Sequence, residues 1–98
     1  MELDQVDKGF LEKEIDRTVE NVKSTIEMAR NEEYRKFTQI INESDFVFGW
    51  SLDQIVQGFT YFFLIRHGRH LTESESNEVV SRVNTRSNEI KDAILSCG

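Results

Sequence analysis

Apolar residues recur along the first forty positions at helical spacing. They stand at Leu3, Val6, Phe10, Ile15, Val19, Val22, Ile26 and Ala29, then at Phe37, Ile40 and Ile41. From Ile15 to Ala29 the steps are 4, 3, 4 and 3, a heptad-like stripe with polar residues elsewhere. Opposite charges lie about one turn apart at Asp4–Lys8, Glu20–Lys23 and Glu32–Lys36, which supports a helix. No Gly or Pro interrupts the run from Phe10 to Phe48, and Phe37 follows Ile26 by 11 residues, in phase with three turns. The pattern predicts one long N-terminal helix over about residues 3–41.

Unbroken, that helix would be roughly 60 Å long, against a radius of gyration of about 13 Å for a compact domain of this size. Either it breaks at Arg30-Asn31-Glu32, or a second chain packs along it. The pattern offers no turn residues beyond Asn31, so the sequence favours the second chain.

Asn42-Glu43-Ser44-Asp45 reads as the first loop. Phe46-Val47-Phe48 carries the one trace of strand-like alternation. Ser51 and Gln54 match an S-x-x-Q capping box that would open a second helix at Leu52. This helix runs to about Arg66, with Gly68 placed as a left-handed C-cap. Thr72 and Glu75 match T-x-x-E and open a last helix to about Leu95, with Val79, Val83, Ser87, Ile90 and Ile94 on one face. The expected fold is all-α: a three-helix bundle, four helices if the first breaks near Asn31, in a single domain over 1–98, completed by oligomerisation.

Seven of the ten aromatic residues fall within 46–63, and helix 52–66 is apolar on nearly all sides. Such a helix is either buried or in a membrane. Residues 46–65 are long enough to span a bilayer, but they include Ser51, Asp53, Gln54, Gln57 and Thr60. A central Asp alone costs roughly 3 kcal/mol on insertion. A core helix between the other two is the better reading. A small monomer cannot cover it on every side, so Phe46, Phe48, Trp50 and Tyr61 are expected at an interface with another chain, where aromatics are enriched.

Composition narrows the partners. Residues 1–33 carry ten acidic and five basic groups, residues 34–71 three and four, and residues 72–98 five and three, for a net charge of −6. That balance opposes an extended nucleic-acid surface, which needs a basic stripe. The acidic N-terminal stretch has five cations interleaved, as a solvated helix face would. Cys97 is the only cysteine, so no disulfide can form within the chain. The first residues have neither a basic nor an apolar signal region. A cytoplasmic protein is expected.

The remaining chemistry is concentrated at Arg66-His67-Gly68-Arg69-His70, which holds both histidines and two of the seven arginines. Cations at a helix C-terminus are stabilised by its dipole, by about 0.3–1 kcal/mol each, and this alone accounts for the cluster. A functional reading makes Arg66, His67, Arg69 and His70 a site for a phosphate, a nucleotide or an acidic partner side chain. A metal site lacks ligands: the two histidines flank a helix-ending glycine, and zinc takes three or four donors. The R-x4-6-H motif of small helical ribonucleases of the HEPN kind is not met, because Arg66 and His70 are R-x3-H. The Trp-x-Gly turn of secreted helical hairpins is reversed here as Phe48-Gly49-Trp50.

No phosphate loop, zinc-hydrolase or dinucleotide motif occurs, and no cofactor is expected. The sequence therefore points to a non-catalytic helical protein, a regulator, inhibitor or adaptor, homo-oligomeric and docking on a further protein. Phage or other mobile elements are a fitting origin. The alternative is an oligomeric binder of a phosphate-bearing or nucleotide ligand at Arg66–His70.

Overall fold

The structure, a computed structural model, describes residues 3–97. These residues form five helices: α1 (Gln5–Glu20), α2 (Val22–Arg30), α3 (Glu32–Thr38), α4 (Glu43–His67) and α5 (Glu73–Cys97). No strand occurs among the described residues, and no helix among them is long and apolar enough to cross a membrane.

The all-α expectation holds, and the count of three or four helices does not. The N-terminal segment breaks twice, at Asn21 and at Asn31. At Asn21 the interruption is slight. Its N–H donates to Arg17 and Thr18 carbonyls at 3.0 and 3.2 Å, and its own carbonyl accepts from the Thr25 N–H at 3.1 Å. Asn31 is extended, and its side chain accepts from the Tyr34 N–H as the N-cap of α3. The break at Asn31, with a left-handed Gln39 after α3, folds the chain back and removes the length conflict.

A second correction concerns the start of α4. Asn42, rather than Ser51, is its N-cap, accepting from the Asp45 N–H at 3.0 Å. Residues 43–45 are thus the first helical turn, and Phe46-Val47-Phe48 is helical. Ser51 lies buried mid-helix with its hydroxyl donated back to the Val47 carbonyl at 2.8 Å. At the other junction the T-x-x-E box forms as read: the Glu75 N–H donates to Thr72 Oγ1, and the Thr72 N–H to Glu75 Oε1 at 2.8 Å. Gly68 closes α4 at φ +67°.

Three rods result. α1 followed by α2 is the first, and it packs on both α4 and α5, which pack on each other. The core joins Leu11, Ile15, Val22, Ile26 and Ala29 to Val47, Ile55, Phe59 and Phe63 of α4 and to Val79, Val83, Ile90 and Ile94 of α5. Along α1 the buried row is Asp7, Leu11, Glu14 and Ile15, preceded by buried Leu3 ahead of the helix. The stripe read from the sequence holds from Ile15 onward, where Ile15, Val22, Ile26 and Ala29 are buried, and departs from this row earlier, where Asp7 and Leu11 are buried in place of Val6 and Phe10. Val6 faces solvent, as do Phe37 and Ile41. Arg86 of α5 clamps α1, donating to the Glu12 carbonyl at 3.2 Å and to Asp16 at 2.6 Å. α3 buries no residue and approaches α2 alone along its backbone.

Candidate functional site

The basic cluster lies where the end of α4 meets the starts of α1 and α5. Arg66 and His67 occupy the last turn of α4, Asp4 is the N-cap of α1 and Asp7 lies in its first turn. One Arg66 nitrogen, NH1, lies 2.8 and 2.7 Å from the two Asp4 oxygens and 2.8 Å from Asp7 Oδ1. His67 Nε2 is 3.0 Å from Asp7 Oδ2, on a carboxylate that is almost wholly buried. Arg69 forms a bidentate pair with buried Glu75, at 2.9 and 3.0 Å, and lies 5.1 Å from the Phe63 ring centre.

These pairs set the electrostatics. The Asp7 backbone N–H and the Arg66 guanidinium hold the Asp4 carboxyl down from 3.8 to about 2. Arg69, with the Thr72 backbone N–H, holds Glu75 down from 4.5 to about 2. Both arginines are raised in turn by their carboxylate partners. Three of the four residues read as an anion site thus already carry carboxylates of the same chain. An incoming phosphate would have to displace Asp4, Asp7 or Glu75. His70 stands apart, exposed beside a shallow hollow that Val56, Tyr61 and Leu64 also line. Asp4, Asp7 and His67 offer donor atoms within 4.8 Å of one another, but the Arg66 guanidinium is seated between the two carboxylates.

The aromatic residues divide between two flanks of α4. Its buried ridge is Val47, Ser51, Ile55, Phe59 and Phe63, each one turn from the next. On one flank Phe46 meets Tyr34 of α3 edge-to-face and stacks on Trp50, with ring centres 5.9 and 6.0 Å apart. On the other, Phe48 lies under the Lys91 ammonium at 5.1 Å. Tyr61 is exposed nearer the C-terminal end. Phe46, Phe48 and Trp50 are each half-buried, so the four residues expected at an interface do not form one patch.

Two concavities follow from this division. Between α4 and α5 runs a groove of about 580 Å³, lined by Phe48, Leu52 and Val56 on one side and by Val80, Val83 and Lys91 on the other, with Asn and Ser of α5 along the floor. Between the α1–α2 rod and α4 lies a polar cleft of about 330 Å³, lined by Glu14, Arg17, Asn21, Trp50, Ser51 and Gln54 among others. Glu14 is buried there with one ion pair, to Arg17 at 2.7 Å. Gly58 faces it across the helix contact: a Cβ at that position would sit 2.8 Å from Glu14 Oε2. A glycine inside a helix costs about 1 kcal/mol relative to alanine, so space for this carboxylate is held at a cost to α4.

Asp7, Glu14 and Glu75 are the polar residues that sequence reasoning placed outside the core. A signal existed for two of them. Glu75 belongs to the capping box, and Asp7 stands midway in the i, i+4 row from Leu3 to Leu11. Glu14 gave none, because the glycine that accommodates it is 44 positions away.

No protein-family model matches the chain, and no curated protein and no solved structure is significantly similar to it.

Proposed function

We propose that this chain is a non-catalytic protein of the regulator, inhibitor or adaptor type, working by protein–protein contact, and that it pairs with a second copy of itself through the α4–α5 groove. The carrying observation is the character of that groove. In a chain that is 31% charged, the only formal charge lining it is Lys91, and that is drawn over the Phe48 ring. Cores of protein interfaces are depleted of charge in the same way.

Charge supports the choice of occupant. Two copies at −6 each repel, and a face without carboxylates is where they approach at least cost. Val80 in the groove is itself exposed, and Tyr61 and Ile65 further along α4 are exposed as well. The strongly exposed Phe37 and Ile41 are then left for a different protein.

Light scattering decides the pairing. A dimer mass is expected for the wild type, and a monomer mass for the Val56→Glu, Val80→Glu double variant with its helical circular dichroism intact. A wild-type monomer at about 100 µM, well above the usual range for specific interfaces, sinks the reading. The alternative, a phosphate-bearing or nucleotide ligand held in an oligomer at Arg66–His70, needs the Asp4, Asp7 and Glu75 carboxylates to yield. It would show as a nucleotide-dependent rise in melting temperature that Arg66→Ala and Arg69→Ala remove.

A further inference from the structure

Glu14 and Gly58 form a pair that packing does not explain. An apolar residue at 14 and an alanine at 58 would suit two helices in contact better, since a buried carboxylate costs solvation and a helical glycine costs entropy. What the pair achieves is placement. It puts a carboxylate in the wall of the cleft between α1–α2 and α4, beside Trp50, with the amides of Asn21 and Gln54 and the hydroxyls of Thr18 and Thr25 lining the same space.

That chemistry is selective. A carboxylate, amide and hydroxyl oxygens and an indole all favour a cation with several N–H donors. One such cation is present. Arg17 donates from NH2 to Glu14 Oε2 at 2.7 Å. Its side chain is 65% exposed, so the pair gains little from the protein around it. Arg17 rests at the mouth of the cleft on the oxygen that a ligand would use, and a better-seated cation can displace it.

We propose that this cleft binds an organic cation, a guanidinium or primary ammonium group, with Glu14 as its charge partner. The group belongs either to a small free amine or to an Arg or Lys side chain of another protein. The site is separate from the α4–α5 groove and stands whether or not the chain pairs with itself.

Trp50 is the only tryptophan, so its fluorescence reports on the cleft directly. The probes are agmatine for the free amine, N-acetyl-arginine amide for a side chain on a peptide, and N-acetyl-citrulline amide as the neutral isostere. A saturable change is expected with one or both cations and none with citrulline. Arg17→Ala, which removes the internal competitor, tightens binding several-fold. Glu14→Gln weakens it by about tenfold or more, the cost of losing an ionic partner. Gly58→Ala, which favours the helix while pushing the carboxylate aside, also weakens it. A stronger response to agmatine assigns the free amine, and a stronger response to the arginine amide assigns a protein side chain. The proposal is overturned by no saturable binding to the Arg17→Ala variant, by equal binding to Glu14→Gln, or by an equal response to citrulline.

Discussion

Glu75 illustrates how much one carboxylate can do when its partners converge. It accepts from the Thr72 N–H, completing the cap of α5, and from both terminal nitrogens of Arg69, which ties the α4–α5 turn to that cap. Its pKa is lowered to about 2 by Arg69 first and the Thr72 N–H second. A depressed carboxylate stabilises the fold fully above its ordinary pKa of 4.5 and loses that contribution as pH falls, because the unfolded chain then binds the proton first. Stability is therefore expected to fall between about pH 4.5 and pH 2, with Asp4 adding to the slope from 3.8 downward. Glu75→Gln should lower stability at neutral pH by about 1–3 kcal/mol, the cost of leaving Arg69 and the cap imperfectly paired. The variant and wild-type curves should converge near pH 2. Urea midpoints taken across pH 2–7 test this, and parallel curves would show that Glu75 contributes no pH-dependent stability.

At the scale of elements, the helices differ in what holds them. α4 is anchored by five buried side chains, whereas α3 buries none and is kept by its Asn31 cap, the Tyr34–Phe46 ring contact and a long Arg35–Glu43 pair at 3.9 Å. Asn31→Ala should accordingly speed amide exchange through residues 32–38 while changing global stability by no more than about 0.5 kcal/mol. Asn42→Ala, at the cap of α4, should cost about 1 kcal/mol globally. Equal effects on global stability would mean that α3 is part of the cooperative core.

The same elements show what the sequence discloses. Thr72, Glu75 and Gly68 were legible because their chemistry is local: a box of four residues and one left-handed glycine. Ser51 and Gln54 present a similar pattern and mislead, because Asn42 starts the helix nine positions earlier, and a capping box signals an N-terminus only where the preceding residues are not helical. The break at Asn21 leaves a nearly continuous hydrogen-bond ladder, so no Gly or Pro marks it. In the buried row along α1, Leu3 and Ile15 were legible, whereas Asp7, Leu11 and Glu14 were missed because the charged members break the apolar pattern. Periodicity assigns charged residues to the outside, and only the tertiary partners Arg66, His67 and Gly58 reverse that assignment. The basic cluster was legible as a cluster, and its occupation by Asp4, Asp7 and Glu75 was not, since the first two lie about sixty residues away.

For the whole molecule, that occupation fixes the sign of a salt effect. The described residues extend 43 × 26 × 18 Å with a radius of gyration of 14.7 Å, an elongated shape with a groove along one side that no carboxylate lines. Two kinds of self-association are open to an acidic chain with a basic cluster. If the cluster of one copy met the acidic N-terminal stretch of another, salt would weaken the pair. In the structure Arg66, His67 and Arg69 are already spent on their own chain's carboxylates, which leaves long-range repulsion between two net charges of −6 as the dominant field. Screening lengths shrink from about 10 Å at 0.1 M to about 3 Å at 1 M salt, so that repulsion fades, while the burial of Phe48, Leu52, Val56 and Val80 that the proposed pairing entails would not. The dimer fraction is therefore expected to rise, or at least not fall, as sodium chloride goes from about 0.05 to 0.5 M. Sedimentation equilibrium at several salt concentrations measures it. A dissociation constant that grows with salt would mean that carboxylates and guanidinium groups cross the interface, and would move the contact from the α4–α5 groove to the end of the bundle where α4 meets α1.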